Sequence, residues 1–450
     1  MTEHAYQLDI LRPQSVNNTS PNAQWGTFRD SLREPVHRWF TYPAGYSHRA
    51  VEYCLKSHNI GREKCVYDPF MGTGTTNVVS KSLGISSIGV EAHPFVYRVA
   101  RTKLDFELPL GRAAKLLSTI EENVKNKRCS LPADLKSTLE DIFPELVIKC
   151  FLPPTLHDLL LIRDEISQIS MSKRYSDFFN VALTAVLRKV ANVHTGWPYI
   201  APKKIKNGSK PKDALLAFTS QVQLMVADLQ IMKNRTADNT SQHSIFEADA
   251  RDTSSNIEDN SADFIITSPP YLNNYDYADR TRLEMYFFGE ATCWGDISRK
   301  VRTKLMTSAT TQISRSDKRY ELSNSLEKEC PEVYEVLSDV VLQLSELRLL
   351  KGGRKDYDMM VAGYFNDIFL VLKDTYRILK TGSRALFVLG DSAPYGVHVK
   401  TDQLVGIIGQ NIGYSSFDTT VLRKRGGKWK ENPQRHNVEL RESIITLIKE

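Results

Sequence analysis

The apolar positions of this chain change period along its length, and the changes mark out its elements. Helical spacing over 47–57 predicts a helix. Residues 63–67 read as a short buried strand, followed at once by the run DPFMGTGTT and a helix through Ser82. A second strand is predicted at 86–91, and a helix starts at 94–103. This order of strand, glycine turn, helix and strand is the opening of a doubly wound α/β sheet. Residues 111–235 are different: their period is helical, with Leu159, Leu160, Ile162, Ile166 and Ile169 three to four positions apart. A basic loop, YIAPKKIKNGSKPK at 199–212, interrupts them. The sheet pattern then returns, with strands at 244–248 and 262–267, the second strongly apolar and ending in SPPY. A helix over 361–379 with Gly382 near its end leads to a strand at 384–389, and 421–425 with 441–449 could form a closing pair. One sheet with a large helical insertion fits this pattern better than two independent domains. The expected division is an arm and first sheet part at 1–110, the insertion at 111–235, and the second sheet part at 236–450.

Composition changes this picture little. At 41% hydrophobic and 25% charged, the 450 residues resemble ordinary globular chains, which excludes disorder and collagen-like repeats. Lys and Arg number 59 against 53 Asp and Glu, and the resulting +6 points to an anionic partner only where it is concentrated. No uninterrupted apolar run reaches about 18 residues, so no membrane-spanning helix is expected. The opening MTEHAYQLDILRPQS has acids, an early proline and no apolar core, so it is not expected to be a signal peptide, and the cytoplasm is the expected compartment. Residues 1–24 read as a loosely held polar arm. The six cysteines form no C-x₂-C pair and the ten histidines no HExxH, so no metal site is expected.

Two turns carry the chemistry. In Asp68-Pro69-Phe70-Met71-Gly72-Thr73-Gly74-Thr75-Thr76, the glycines permit positive φ and close ligand approach, and the following helix offers free N–H groups. A phosphate cradle would need Lys-Ser/Thr after the last glycine, and a dinucleotide fingerprint a third glycine where Asn77 stands. Glu91, ending the next strand, stands where an acid accepts hydrogen bonds from ribose hydroxyls. The turn therefore suits a nucleoside ligand with a carboxylate or amine and no pyrophosphate. In Ser268-Pro269-Pro270-Tyr271, two prolines leave the carbonyls of Ser268 and Pro269 free to face a ligand. A row of acceptors beside an aromatic ring suits an exocyclic amine, whose two hydrogens they hold while positive charge develops during attack. Tyr271 offers a stacking face for a base taken out of its duplex.

DPFMGTGTT and SPPY together resemble the S-adenosylmethionine-dependent DNA amino-methyltransferases, and the resemblance covers most of the chain. Ser268 at the head of the tetrapeptide is similar to the cytosine-N4 branch, since the adenine-N6 branch usually has Asp or Asn there. The resemblance implies a Rossmann-like methyltransferase sheet and direct transfer to the amine. No residue among the cysteines follows a proline, which removes the nucleophile expected for methylation at carbon 5 of cytosine. Residues 39–45, WFTYPAG, resemble the motif beside the methionine end of the cofactor, which implicates Tyr42. Asp68, Phe70, Gly72, Thr73 and Gly74 would shape the methionine pocket, with Thr75 or Thr76 on its carboxylate. Asp68 would accept from the cofactor's amino group or serve as a helix cap. Asp249 and Ala250 resemble the segment that contacts adenine, with one short helix expected between them and SPPY. Residues 425–429 and 441–443 resemble the closing hairpin. Thr73 stands where Ser is common, a change that keeps the hydroxyl.

Double-stranded DNA is the implied partner, with a separately acting restriction endonuclease as a possible second. Lys203, Lys204, Lys206, Lys210 and Lys212 crowd one loop, and Arg423, Lys424, Arg425, Lys428, Lys430 and Arg435 another. Each cluster is a candidate phosphate-binding surface or a solvated face. The insertion is a candidate for target recognition. Asn273, Asn274, Tyr275, Asp276 and Tyr277 could line a base pocket, or Asp276 could cap the helix beginning near Asp279. Three readings stand: a cytosine-N4 DNA methyltransferase, an adenine-N6 DNA or RNA amino-methyltransferase, and a non-catalytic DNA-binding protein with a retained cofactor fold.

Overall fold

The computed structural model describes residues 16–17, 28–40, 45–129, 134–194, 202, 205–236, 240–353, 355–425 and 438–450. The first elements are β1 (Val16–Asn17), α1 (His48–Ser57), β2 (Cys65–Asp68), α2 (Thr75–Leu83), β3 (Ser86–Val90) and α3 (Pro94–Lys103). Six helices follow: α4 (Leu110–Arg128), α5 (Leu135–Ile142), α6 (Glu145–Cys150), α7 (Pro153–Gln168), α8 (Lys173–Val190) and α9 (Ala214–Arg235). Next come β4 (His243–Phe246), β5 (Ala262–Thr267), and the short helices α10 (Tyr277–Arg280), α11 (Arg282–Phe287), α12 (Trp294–Ile297) and α13 (Asn324–Glu329). The last are α14 (Pro331–Leu350), α15 (Tyr357–Ile378), β6 (Leu379–Gly390), α16 (Thr401–Ile412), β7 (Ser416–Arg425) and β8 (Leu440–Lys449).

Among the described residues the strands form one sheet in the order β1-β7-β8-β6-β5-β2-β3-β4. Only β8 runs against its neighbours; every other pairing is parallel. From β2 the chain steps outward through β3 to β4, and from β5 it steps the other way to β6. The strand order therefore reverses between β2 and β5, and open parallel sheets bind ligands beyond the carboxyl ends of strands at such a point. Successive side chains on a strand point to opposite faces. Val66, Phe264, Ile266, Leu386 and Val388 accordingly pack under α1 and α2, while Tyr67, Ile265, Phe387 and Ile445 pack under α15 and α16. Each such fully buried apolar side chain contributes about 1.5–3 kcal/mol.

The helical insertion shares a core with the sheet domain. Leu117, Leu159, Leu187 and Leu229 belong to the same buried cluster as Trp39, Val96 of α3 and Leu283 of α11. Arg188 on α8 holds the fully buried Glu284 of α11 at 2.6 Å, and Phe143 stacks on Phe287 with centroids 5.5 Å apart. α9 is the one described helix long and apolar enough to cross a bilayer; 44% of that stretch is buried within the fold.

Several expectations shift in detail. The helix before β6 starts earlier, at Tyr357, and Leu379 belongs to the strand because it pairs with Ala262. Gly382 lies inside β6, its φ of +78° serving an irregularity in the β5–β6 register. The helix expected between Asp249 and SPPY is absent: residues 250–261 form turns, with one helical turn at Ile257 N–H to Thr253 O. The closing pair is present, antiparallel and longer than expected.

Candidate active site

The glycine turn and the SPPY turn meet because their strands do: Val66 pairs with Phe264 and Tyr67 with Ile265. One step on, Thr267 Oγ1 donates to Asp68 Oδ1 at 2.6 Å, and the Phe70 N–H donates to the same oxygen at 3.0 Å. Thr76 Oγ1 donates to Asp68 Oδ2 at 2.5 Å, with the Tyr46 hydroxyl 3.4 Å away. This buried carboxylate thus ties β2, α2, β5 and the segment before α1 together. Burial pushes its carboxyl up to about 6, against hydrogen bonds from Thr267, Thr76, Phe70 and Tyr46 that favour the ionised form. Gly74 precedes α2 in the left-handed region, at φ +85°, where a Cβ would also press on Ala100 at 3.4 Å.

Above these turns lies a cavity. Its walls are Gly45 and Tyr46, residues 69–73 and Thr75 of the glycine turn, residues 90–92, residues 249–251, Ser268, Pro270, Tyr277, and residues 304–306. Glu91 stands on the wall, its Oε1 accepting the His93 N–H at 2.7 Å. Burial raises its carboxyl to about 7, opposed by the His93 N–H. Asp249 shares its carboxylate with the Arg251 guanidinium at 2.5–3.0 Å.

Phe70, Gly72, Thr73, Thr75, Glu91, Asp249, Ala250, Ser268 and Pro270 therefore share one cavity. Asp68, Gly74, Thr76, Pro269 and Tyr271 sit beside it without lining it. Tyr42, Lys203, Lys204 and Lys428 lie outside the described residues. The Tyr271 hydroxyl donates to Glu442 Oε1 at 2.8 Å, and the Arg425 guanidinium lies 5.4 Å from its ring centroid. Arg423 Nε reaches the other Glu442 oxygen at 2.5 Å, so Arg423 and Arg425 are brought to the SPPY turn. Lys206 and Lys210 stand exposed on the loop between α8 and α9, whereas Lys212 caps α8 by donating to Ala191 O at 2.5 Å.

Asp276 caps α10, accepting from the Ala278 N–H at 3.0 Å, and pairs with Arg302. It also borders a second hollow, with Asn273, Asn274, Trp294, Thr310 and Lys355, while Tyr277 faces the first cavity. Sequence reasoning missed Tyr46, Met71 and residues 304–306. Tyr46 directly follows the WFTYPAG run and was within reach; residues 304–306 carry no local signal.

A doubly wound sheet with one reversed strand, bearing a glycine turn and a Ser-Pro-Pro-Tyr turn on one cavity at its switch point, is the architecture of a Rossmann-like methyltransferase fold. Residues 6–102 match the family model described as DNA methylase. Over 94% of this chain and 87% of the relative, the sequence is 23% identical to the Type II methyltransferase M.BsoBI of Geobacillus stearothermophilus. It is 24% identical to the Type II methyltransferase M.AvaI of Nostoc sp., over 88% of this chain and 82% of that one. It is 21% identical to the Type II methyltransferase M.MvaI of Kocuria varians, over 95% and 94%. Taken with the site, these matches make the chain similar to the DNA amino-methyltransferases, a family of enzymes that use S-adenosylmethionine.

The donor set of the cavity fits that cofactor. Thr73, Thr75 and the start of α2 suit a carboxylate, Glu91 a diol, and Asp249 with Ala250 and Pro270 a flat amine-bearing ring.

Proposed function

We propose that this chain methylates N4 of cytosine in duplex DNA, with S-adenosylmethionine as methyl donor, and protects its sites from a cognate restriction endonuclease. The observation that carries the reading is Ser268: it heads the SPPY turn and lines the cavity shared with the glycine turn and Glu91. S-adenosylmethionine, when bound, supplies the methyl group on a sulfonium that is its own leaving group. The chain's work is placement. Ser268 and the Pro269 carbonyl hold the two amine hydrogens, which turns the nitrogen lone pair toward the methyl carbon. The amine would take the methyl from the cofactor bound there, which leaves as a neutral thioether, and the amine proton would pass to water. Tyr271 stacks on the flipped base, and Lys206, Lys210, Arg423 and Arg425, with Lys203, Lys204 and Lys428, neutralise phosphates. Asp68 fixes the turn that carries the methionine end.

The test uses labelled S-adenosylmethionine, mixed-sequence duplex DNA and nucleoside chromatography of the product. Label in N4-methylcytosine is expected. Label in N6-methyladenine would overturn the reading of Ser268, and label only in RNA would overturn the substrate.

Glu91 makes cofactor affinity depend on pH. Its ionised form accepts the ribose hydroxyls, and with its carboxyl at about 7 the ionised fraction drops on acidification. Affinity for S-adenosylmethionine, read by calorimetry, should therefore fall about tenfold from pH 8 to pH 6. Glu91→Gln should bind weakly and without this slope; a slope that persists in Glu91→Gln would assign it to another group.

A further inference from the structure

The helical insertion reaches the cofactor cavity through one carboxylate. Asp228 on α9 is fully buried, and four donors converge on it from the segment ahead of α1. Its Oδ2 accepts from the Val36 N–H at 3.0 Å, Trp39 Nε1 at 2.9 Å and Arg38 Nε at 3.0 Å; its Oδ1 accepts from Arg38 Nη2 at 2.5 Å. Val36 needs such an anchor. Its φ is +65°, a region that β-branched side chains avoid, and it too is fully buried. An N–H held by a buried carboxylate is a strong hydrogen bond, and here it secures the backbone where the chain is most strained.

The next residue passes the constraint on. The His37 carbonyl accepts from Lys103 Nζ at 3.2 Å, and the same ammonium donates to Thr73 Oγ1 at 3.3 Å. Lys103 is buried, and among the described residues these two hydrogen bonds hold its Nζ, with the Phe28 ring centroid 6.0 Å away. Thr73 belongs to the glycine turn and lines the cavity. The route from α9 to the cavity wall thus consists of hydrogen bonds between buried groups, joined by the Val36–His37 peptide bond.

We propose that Asp228 is a positioning residue for cofactor binding: from within the insertion it holds the strained turn at Val36–Trp39, and through Lys103 sets the Thr73 wall of the cavity. The proposal rests on the reading of that cavity as the S-adenosylmethionine site. It gives the insertion a part in cofactor binding, whatever part it has in DNA recognition.

The test is calorimetric titration of the full chain with S-adenosylmethionine, beside thermal unfolding and steady-state kinetics. Asp228→Ala leaves Val36 and Trp39 without an acceptor and should raise the dissociation constant at least tenfold. Asp228→Asn can keep its oxygen on Val36 and Trp39 and loses only the acceptor for Arg38 Nη2, which its NH₂ cannot replace, and should stay within threefold of wild type. Arg38→Ala, which spares the other two bonds, should stay within twofold. In kinetics Asp228→Ala should raise KM for the cofactor with kcat within about threefold. A loss of folding alone would instead lower the active fraction and leave KM unchanged. Should Asp228→Ala not fold, Trp39→Phe removes only the indole donor and should still raise the dissociation constant about threefold. A folded Asp228→Ala with wild-type affinity would overturn the proposal, as would wild-type affinity in Trp39→Phe. If wild type itself fails to bind S-adenosylmethionine, it is the reading of the cavity that falls.

Discussion

Tyr271→Ala is expected to lower single-turnover methyl transfer at least about 100-fold while cofactor affinity stays within about twofold, because misplacing a reacting group by about 1 Å costs this much. The tyrosine is pinned at both ends. Its hydroxyl donates to Glu442, itself nearly fully buried, and its ring lies beside both the Arg425 guanidinium and the bare Cα of Gly390. A Cβ at Gly390 would come within 2.9 Å of the ring and 2.2 Å of Arg425, so the spacing has no slack. Tyr271 does not line the cofactor cavity, which is why affinity should survive its loss. Tyr271→Phe keeps the ring and frees Glu442, and an intermediate loss is expected. Rapid-quench measurement with labelled cofactor reads both variants; transfer within fivefold of wild type in Tyr271→Ala would remove Tyr271 from the base-holding role.

The second large effect concerns stability. Glu284→Ala should destabilise the protein by about 3–5 kcal/mol, since breaking a buried pair leaves an uncompensated charge behind. Glu284 is fully buried, and both its oxygens accept from Arg188, at 2.6 and 3.1 Å. Arg188 also donates to the Arg280 carbonyl at 2.7 Å, so it cannot swing out to water without giving up a second contact. Replacing both partners by leucine should recover much of the loss. Urea unfolding followed by circular dichroism gives the numbers; a change under about 1 kcal/mol in the single variant would mean that water reaches Arg188.

The sheet half of the fold was legible because its signals are local. Phe264–Ile266 of β5 form an apolar run, as a strand covered on both faces requires, and Pro94 and Gly74 mark helix starts by their backbone conformations. No element is assigned to α16 from the sequence, and its glycines at 406 and 409 have low helix propensity. In the fold they let the helix approach the sheet, where a Cβ at 406 would come within 2.4 Å of Phe417 and one at 409 within 2.5 Å of Leu447. That information sits in the partners, not in the helix. The same holds for the site. The residues of the two turns could be picked out from spacing, whereas residues 304–306 reach the cavity only through tertiary packing. Glu442 stood in a recognised segment, yet its bond to Tyr271 spans 171 residues and has no counterpart in local pattern.

The placement of β2 beside β5 also governs how the chain is made. The Cys65 N–H donates to Asp263 across 198 residues, with the entire insertion between. At about 5–20 residues per second, β2 leaves the ribosome roughly 10–40 s before its neighbour exists. The insertion helices, whose contacts are mostly local, can form during that interval. The β2 edge meanwhile has no partner strand, the condition under which nascent sheets pair with the wrong chain. Slower translation through 110–260 prolongs that exposure, so the soluble yield of this protein becomes a property of elongation rate as well as of sequence.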